Sequence, residues 1–105
     1  MEQVFFELSP AGSQRQASFY GKAQVMEQGD KVILLSYGTP IIEYDRKRGA
    51  LRKLWDGYSL TTGKHIFAFI RVLEYRDGVQ VYCKNLKQWF TGLTLNKWTK
   101  CEEVA

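Results

Sequence analysis

The stretch KVILLSYGTPIIEYDRKRGALRKLW, residues 31–55, decides the fold of this protein. It consists of a branched aliphatic run, a Gly-Thr-Pro break, a second apolar run, a basic turn and an alternating segment. Short apolar runs that are separated by turns of about four residues are typical of consecutive antiparallel strands. Together with the strand-like residues 19–27, the stretch predicts a meander of four strands over residues 19–55.

The spacing of apolar residues changes after residue 55 from a period of two to a period of 3.6. Ile66, Phe69, Ile70 and Leu73 follow the i, i+3, i+4, i+7 pattern of an amphipathic helix, which we predict over about 61–75. Phe67 and Val72 are expected to widen the same buried face. Thr61 or Thr62 is expected to cap the start of this helix, and Gly78 is expected to end it.

The remaining segments predict shorter elements. Residues 4–8 favour an edge strand, and residues 79–83 favour a brief fifth strand of the meander. Asn85 followed three positions later by Gln88 is typical of a capping box, so a second helix is expected over about 85–91, with Trp89 and Phe90 facing inward. Residues 1–18 are expected to form a mobile extension. Residues 93–105 are expected to form a tail that docks through Leu93, Leu95 and Trp98.

The composition indicates one α+β domain, with an antiparallel sheet of four to five strands packed by the main helix. Of the 105 residues, 45% are hydrophobic and 14% aromatic, enough to fold around an apolar core. No apolar run reaches the roughly 20 residues that a membrane span needs, and the N-terminus lacks the basic region of a signal peptide. Cys83 and Cys101 are expected to be reduced thiols. With His65 as the single histidine, we expect no metal site.

The segment GYSLTTGKH, residues 57–65, invites comparison with a nucleotide-binding loop. A Walker loop needs four residues between its first glycine and the Gly-Lys pair, followed by Ser or Thr. Here five residues separate Gly57 from Gly63, and Lys64 is followed by His65. The pattern favours a capped helix instead, with Lys64 as a candidate for contact with an anion near the helix start. We therefore expect no cofactor and no small-molecule substrate.

Other catalytic arrangements are equally weak. No nucleophile elbow surrounds Ser59, so a triad of Ser59 and His65 with an aspartate is not indicated. Pairing of Cys83 with His65 would need a proximity that the sequence does not indicate. A single histidine beside an apolar helical face is typical of a packed or hydrogen-bonded structural residue. We predict that the protein is not an enzyme.

The positive charge is concentrated in the second part of the chain. Residues 1–45 carry three basic and six acidic side chains, whereas residues 46–105 carry twelve and five. Five cations lie within eight residues of one predicted hairpin, and we call them the basic hairpin: Arg46, Lys47, Arg48, Arg52 and Lys53. If they project together into solvent, they can contact phosphates, and the neighbouring Tyr44, Trp55 and Tyr58 can stack on unpaired bases. The alternatives are a solvated turn that blocks edge pairing and a contact with an acidic protein groove.

Two segments, SYGTPIIEYD and LWDGYSLTTGKHIFAFI, resemble a small uncharacterised domain family of phages, integrative elements and gut Firmicutes. The family pattern is S-Y-x-T-x-V-A-x-x-D followed by W-x-G-Y-S-A-T-T-x-x-H-I-x-x-F-L, and NLKQWF is similar to its closing S-K-K-E-W-L element. The similarity covers about residues 19–92. Ile42 and Leu60 replace the usual small residue and the usual alanine. The matching positions are Ser36, Tyr37, Thr39, Asp45, Trp55, Gly57, Tyr58, Ser59, Thr61, Thr62, His65, Ile66 and Phe69.

The resemblance implies that the protein comes from a mobile genetic element and works in the cytoplasm of a bacterial host. Small non-enzymatic proteins of such elements include anti-CRISPR and other anti-defence inhibitors. We therefore expect a non-catalytic binding protein that inhibits a CRISPR-Cas type defence nuclease through the basic hairpin, Tyr44, Tyr58 and Lys64. The alternative is a nucleic-acid-binding accessory protein that uses the same hairpin.

Overall fold

The computed structural model describes residues 3–7, 22–79 and 85–100, which form six strands and two helices. The strands make one antiparallel sheet whose spatial order is the order in the chain, β1-β2-β3-β4-β5-β6. The elements are β1 (Gln3–Glu7), β2 (Ala23–Gln28), β3 (Lys31–Ser36), β4 (Thr39–Asp45), β5 (Ala50–Lys53), α1 (Leu60–Asp77), α2 (Leu86–Gly92) and β6 (Trp98–Lys100).

The predicted α+β class is confirmed, with an antiparallel meander, one main helix and one short helix. The predicted edge strand is present as β1. The sheet gains one strand that the sequence did not predict, because Trp98–Lys100 pairs antiparallel with β5. Residues 80–84, which include most of the predicted strand at 79–83, lie outside the described residues. So do 8–21 and 101–105, which hold most of the predicted N-terminal extension and the end of the tail.

Two turns show why these strands connect so tightly. Tyr37 and Gly38 both have positive φ angles, 52° and 79°, so the β3–β4 connection has the backbone twist that suits a two-residue hairpin. In the β4–β5 turn, Asp45 Oδ1 accepts hydrogen bonds from the backbone amides of Lys47 (2.9 Å) and Arg48 (3.3 Å). Gly49 completes the turn with φ at 60° and donates to the Asp45 carbonyl.

The core lies between one face of the sheet and α1. Alternate residues of β2 and β3, among them Val25 and Leu34, are buried against the predicted apolar face of the helix. Ile66, Phe69, Ile70 and Leu73 are all at most 3% exposed, as their spacing predicted. Val72 also packs against this core, but Phe67 is 45% exposed, so its assignment to the buried face was wrong.

The start of α1 differs from the prediction. The N-cap is Ser59, an extended residue whose Oγ accepts from the Thr62 amide and donates to Thr62 Oγ1, both at 3.0 Å. Thr62 is therefore the partner of the cap, and neither Thr61 nor Thr62 is the cap itself. Gly78 ends the helix in the left-handed conformation, as predicted, and its amide donates to the Leu73 carbonyl.

The last described segment, residues 85–100, contains α2 and the residues that follow it. Asn85 caps this helix by accepting from the Gln88 amide at 3.0 Å, as predicted. Phe90 is fully buried and Trp89 partly buried, in agreement with their predicted inward orientation. Leu93 also contacts the core. Leu95 forms a parallel bridge with Lys53, so the tail docks on β5 at this point through its backbone, while the Leu95 side chain stays 42% exposed.

Candidate functional site

Arg46 of the basic hairpin is held in a cluster of opposite charges at one end of the sheet. Its Nε lies 2.9 Å from Asp77 Oδ1 at the end of α1, and its Nη2 lies 3.6 Å from Glu27 Oε1 at the end of β2. Arg76 lies 2.5 Å from the same Glu27 oxygen. Burial lowers the pKa of Arg46, but the hydrogen bond and charge of Asp77, with the charge of Glu27, raise it more, so the pKa stays above its ordinary value. The guanidinium thus joins β2, the β4–β5 turn and α1.

The other four cations of the basic hairpin also lie beside carboxylates. Arg52 Nη2 is 2.5 Å from Glu43 Oε1, and the Glu43 side chain is only 3% exposed. Arg48 contacts Asp45 within the turn at 3.4 Å. The remaining two pairs are Lys47 with Asp30 at 3.7 Å and Lys53 with Asp56 at 3.1 Å.

The phosphate contact was predicted on the condition that the five cations project together into solvent, and these pairings do not meet that condition. Lys53 lies on the core side of β5 with its side chain 4% exposed, and its Nζ is 5.3 Å from the centre of the Phe90 ring. Arg52 lies over the Trp98 ring at 4.6 Å, as does Arg48 at 5.0 Å. Only Lys47 and Arg48 have side chains more than half exposed, at 82% and 59%. Much of the hairpin charge is neutralised locally and contributes to the stability of the fold.

The aromatic residues beside the hairpin are also engaged in packing. Tyr44 is 6% exposed and belongs to the core, so the prediction that it stacks on bases was wrong. Tyr58 is half-buried and lies near Phe90, with ring centres 6.4 Å apart. A β-carbon on Gly63 would overlap the Tyr58 hydroxyl oxygen. The lack of a side chain at Gly63 therefore leaves room for the Tyr58 ring.

His65 is a structural residue in the described part of the chain. It is fully buried, and its Nδ1 lies 2.8 Å from Ser36 Oγ across the interface between α1 and β3. The ring of Tyr37 lies 5.8 Å from that of His65. Ser59 uses its hydroxyl as the cap of α1, so both members of the sketched Ser59–His65 pair have structural roles. Cys83 lies outside the described residues.

Lys64 belongs to a surface that sequence reasoning missed. Five exposed residues follow each other along the solvent side of α1, and we call them the outer face of α1: Leu60, Lys64, Phe67, Arg71 and Tyr75. Leu60 is 81% exposed and Tyr75 is 92% exposed. Of the five exposed large hydrophobic residues in the described ranges, three are on this line. The signal was present in the sequence, since 60, 67 and 75 lie away from the apolar positions 66, 69, 70 and 73.

The outer face of α1 carries cations that are less restrained than those of the hairpin. Lys64 is exposed and forms no ion pair with a carboxylate in the described ranges. Arg71 is 62% exposed, and its Nη1 lies 3.9 Å from Oε2 of Glu74, its carboxylate neighbour in the described ranges. Arg71 also lies over the Phe67 ring at 5.8 Å. Apolar and cationic side chains therefore alternate on one accessible surface.

The comparison with known families matches residues 6–88 to a family of unknown function, DUF8033. The chain belongs to this family. The match confirms the expected membership of a small uncharacterised family and extends it from the meander into β1. No curated protein and no solved structure matches the chain. Neither of the two described helices is both long and apolar enough to cross a membrane.

Proposed function

We propose that this protein is a non-catalytic binding protein whose partner is another protein, which it contacts through the outer face of α1. The observation that carries the proposal is the concentration of exposed large hydrophobic residues on that one line, with Leu60, Phe67 and Tyr75 at 81%, 45% and 92% exposure. Exposed apolar side chains that are interleaved with cations along one helix face can form a protein interaction site. Aromatic and arginine side chains often supply most of the binding energy at such sites.

The inner side of the same helix supports this function. His65, Ile66 and Phe69 are fully buried, so α1 is fixed to the sheet along its length. A surface on a rigid element loses little conformational freedom when a partner binds, which favours affinity. Leu60 and Tyr75 are free of such an internal role, because both are almost fully exposed.

The specific form of the proposal is inhibition of a CRISPR-Cas type defence nuclease, which follows from the resemblance to proteins of phages and other mobile elements. The net charge of +4 argues against an inhibitor that imitates DNA by an acidic surface. A cationic and apolar helix face fits an acidic protein surface instead. In this form the inhibitor occupies such a surface on the nuclease complex.

Nucleic-acid binding by the basic hairpin is the competing function. Arg48 favours it, because this side chain is 59% exposed and lies over Trp98 at 5.0 Å. The carboxylates beside all five hairpin cations argue against it, since they offset the charge that would attract phosphates. Fluorescence anisotropy with single-stranded DNA at low salt separates the two functions. Tight, salt-sensitive binding that Arg48→Glu abolishes would favour the hairpin.

The proposal is tested by measuring DNA cleavage by purified CRISPR-Cas effector complexes in the presence of the protein. We expect inhibition of at least one effector class, and we expect Phe67→Ser with Tyr75→Ser to weaken it by about 100-fold. The matched control is Lys47→Ser with Arg48→Ser, which removes two exposed hairpin cations and should leave inhibition unchanged. The free energy of unfolding of both variants should lie within about 0.5 kcal/mol of the wild-type value, because the substitutions alter exposed side chains.

The proposal would be abandoned if no effector class were inhibited, or if the double variant of α1 inhibited as strongly as the wild type. If only the hairpin variant lost inhibition, the binding surface would be the hairpin and not α1.

A further inference from the structure

The outer face of α1 has the geometry of a seam that accepts one other helix. Its residues follow each other at intervals of four, three, four and four positions, the alternation that keeps side chains in line along a helix. From Leu60 to Tyr75 the seam is about 22 Å long, at 1.5 Å per residue. A surface that is long and one helical stripe wide matches a helix lying along it better than it matches a globular pocket.

The charges on the seam have a regular spacing. Lys64 and Arg71 are seven residues apart, so they lie on the same side of the helix, two turns from each other. Glu74, the acidic residue beside the seam, is 3.9 Å from Arg71. Lys64 has no described carboxylate as a partner. A complementary helix therefore needs carboxylates with the same spacing of about seven residues, placed between apolar residues that meet Leu60, Phe67 and Tyr75.

A second copy of this chain does not fit that requirement. In an antiparallel pair of α1 helices that meets near Phe67, Lys64 of one copy would face Arg71 of the other. In a parallel pair, each cation would face its own equivalent. Both arrangements bring like charges together at the centre of a contact, where they oppose association. The charge pattern therefore selects a different, acidic partner.

We infer that the outer face of α1 binds an acidic amphipathic helix of its protein partner, with glutamate or aspartate opposite Lys64 and Arg71. This inference rests on the proposed function and names the part of the partner that α1 contacts. The apolar residues of the partner helix pack against Phe67 and the two exposed ends of the seam. The carboxylates supply the specificity, because a helix with lysines at those positions would be repelled.

The probe for this inference is a synthetic 21-residue helical peptide with leucine at the seam positions and two glutamates seven residues apart. Two matched peptides serve as controls: one with lysine in place of both glutamates, and one with the same composition in scrambled order. Binding is measured by fluorescence anisotropy at about 0.15 M salt. We expect the glutamate peptide to bind at least 10-fold more tightly than either control, and Phe67→Ser to weaken it at least 10-fold.

A charge reversal gives the sharper readout. Lys64→Glu with Arg71→Glu should exchange the preference, so that the lysine peptide binds at least 10-fold more tightly than the glutamate peptide. Equal binding of all three peptides, or no binding of any, would overturn the inference. So would concentration-dependent dimers of the wild-type protein in sedimentation velocity that disappear with Phe67→Ser, because the occupant would then be a second copy.

The nuclease assay distinguishes failure of this inference from failure of the proposed function. If the α1 double variant loses inhibition while the glutamate peptide fails to bind, the partner is not an acidic helix but α1 is still the binding surface. If the double variant inhibits like the wild type, the proposed function itself fails. Binding of duplex DNA that Lys64→Glu abolishes would assign the seam to nucleic acid and overturn both.

Discussion

The basic hairpin and the outer face of α1 carry similar cations but differ in how many of them have carboxylate partners. On the hairpin, every arginine and lysine lies within 4.0 Å of a carboxylate, and Lys53 is 4% exposed. On α1, Lys64 has no described ion pair, and its seam neighbours are large apolar side chains in contact with solvent. Arg71 does lie 3.9 Å from Glu74, but it is 62% exposed. A dense run of cations in a sequence is therefore a weaker sign of a binding surface than a sparse set with few internal partners.

For Arg52, the physical reason is the pairing of side chains across two antiparallel strands. Glu43 is directly opposite Arg52 in the register of β4 and β5. Cross-strand pairs of opposite charge lie close enough to interact on one face of the sheet. Helix positions on the solvent side of α1 have no such opposite strand, so their side chains stay accessible. If the comparison is correct, hairpin charges affect stability and α1 surface residues affect binding.

The largest expected effect on stability comes from Glu43→Gln. The Glu43 carboxylate is 3% exposed and lies beside Arg52, which is 29% exposed, so the substitution leaves a partly buried guanidinium without its counter-charge. We expect the free energy of unfolding to fall by about 3 kcal/mol, measured by urea denaturation. The matched control is Asp30→Asn, which removes an exposed pair with Lys47 and should cost less than about 0.5 kcal/mol.

A second pair of variants checks that Glu43 acts through Arg52. Glu43→Leu combined with Arg52→Leu should recover much of the loss, because no partly buried charge is then left unpaired: Lys31, the other cation near Glu43, is 53% exposed. Equal, small effects of Glu43→Gln and Asp30→Asn would show that the hairpin charges are not structural, and the contrast with α1 would be lost.

The attachment of α1 is tested by Gly63→Ala. A β-carbon at this position would overlap the hydroxyl of the Tyr58 ring, so the ring or the helix must shift. We expect a loss of about 2 kcal/mol in thermal or urea unfolding, although alanine is the better helix former. Gly92→Ala is the control, because a β-carbon there meets nothing within 4 Å, and it should be neutral or stabilising by up to about 1 kcal/mol.

The cause of the Gly63 effect is checked by a double-mutant cycle with Tyr58→Ala. If the overlap with the ring is responsible, the two losses should add to clearly more than the loss in the double variant. If the losses of the two single variants add up to the loss of the double variant, contact with the Tyr58 ring is not the cause of the Gly63→Ala effect.

A smaller effect is expected from Arg46→Ala. Arg46 is 29% exposed and connects Asp77 with Glu27, so its removal should cost about 1 kcal/mol, whereas Lys47→Ala should cost less than about 0.5 kcal/mol. Because its pKa is raised, the contribution of Arg46 is fully present below its unfolded pKa and is lost only as pH rises through its folded pKa. The free energy of unfolding that is lost in Arg46→Ala should therefore stay constant as the pH rises to 9. A loss that disappeared between pH 7 and 9 would contradict this ion pair.

Some parts of the fold can be predicted from local sequence patterns, and others cannot. The strands of the meander and the inner face of α1 follow from periods of two and 3.6, because burial on one side of an element imposes those periods directly. Gly78 and Asn85 were assigned correctly, since their capping roles depend on neighbouring residues. Trp98–Lys100 was missed, because three residues without an apolar alternation become a strand only by pairing with β5.

The amino-acid sequence alone was enough to predict the α+β class, most strands of the meander and the two helices. It determined them through contacts between residues that are close in the chain and through alternation that any single strand or helix displays. Only the tertiary structure decided which cations are neutralised. The partner of Arg46 is 31 residues away, and the hydrogen-bond partner of His65 is 29 residues away. Whether a charge is available to another molecule depends on such distant neighbours, and no local pattern in the chain specifies them.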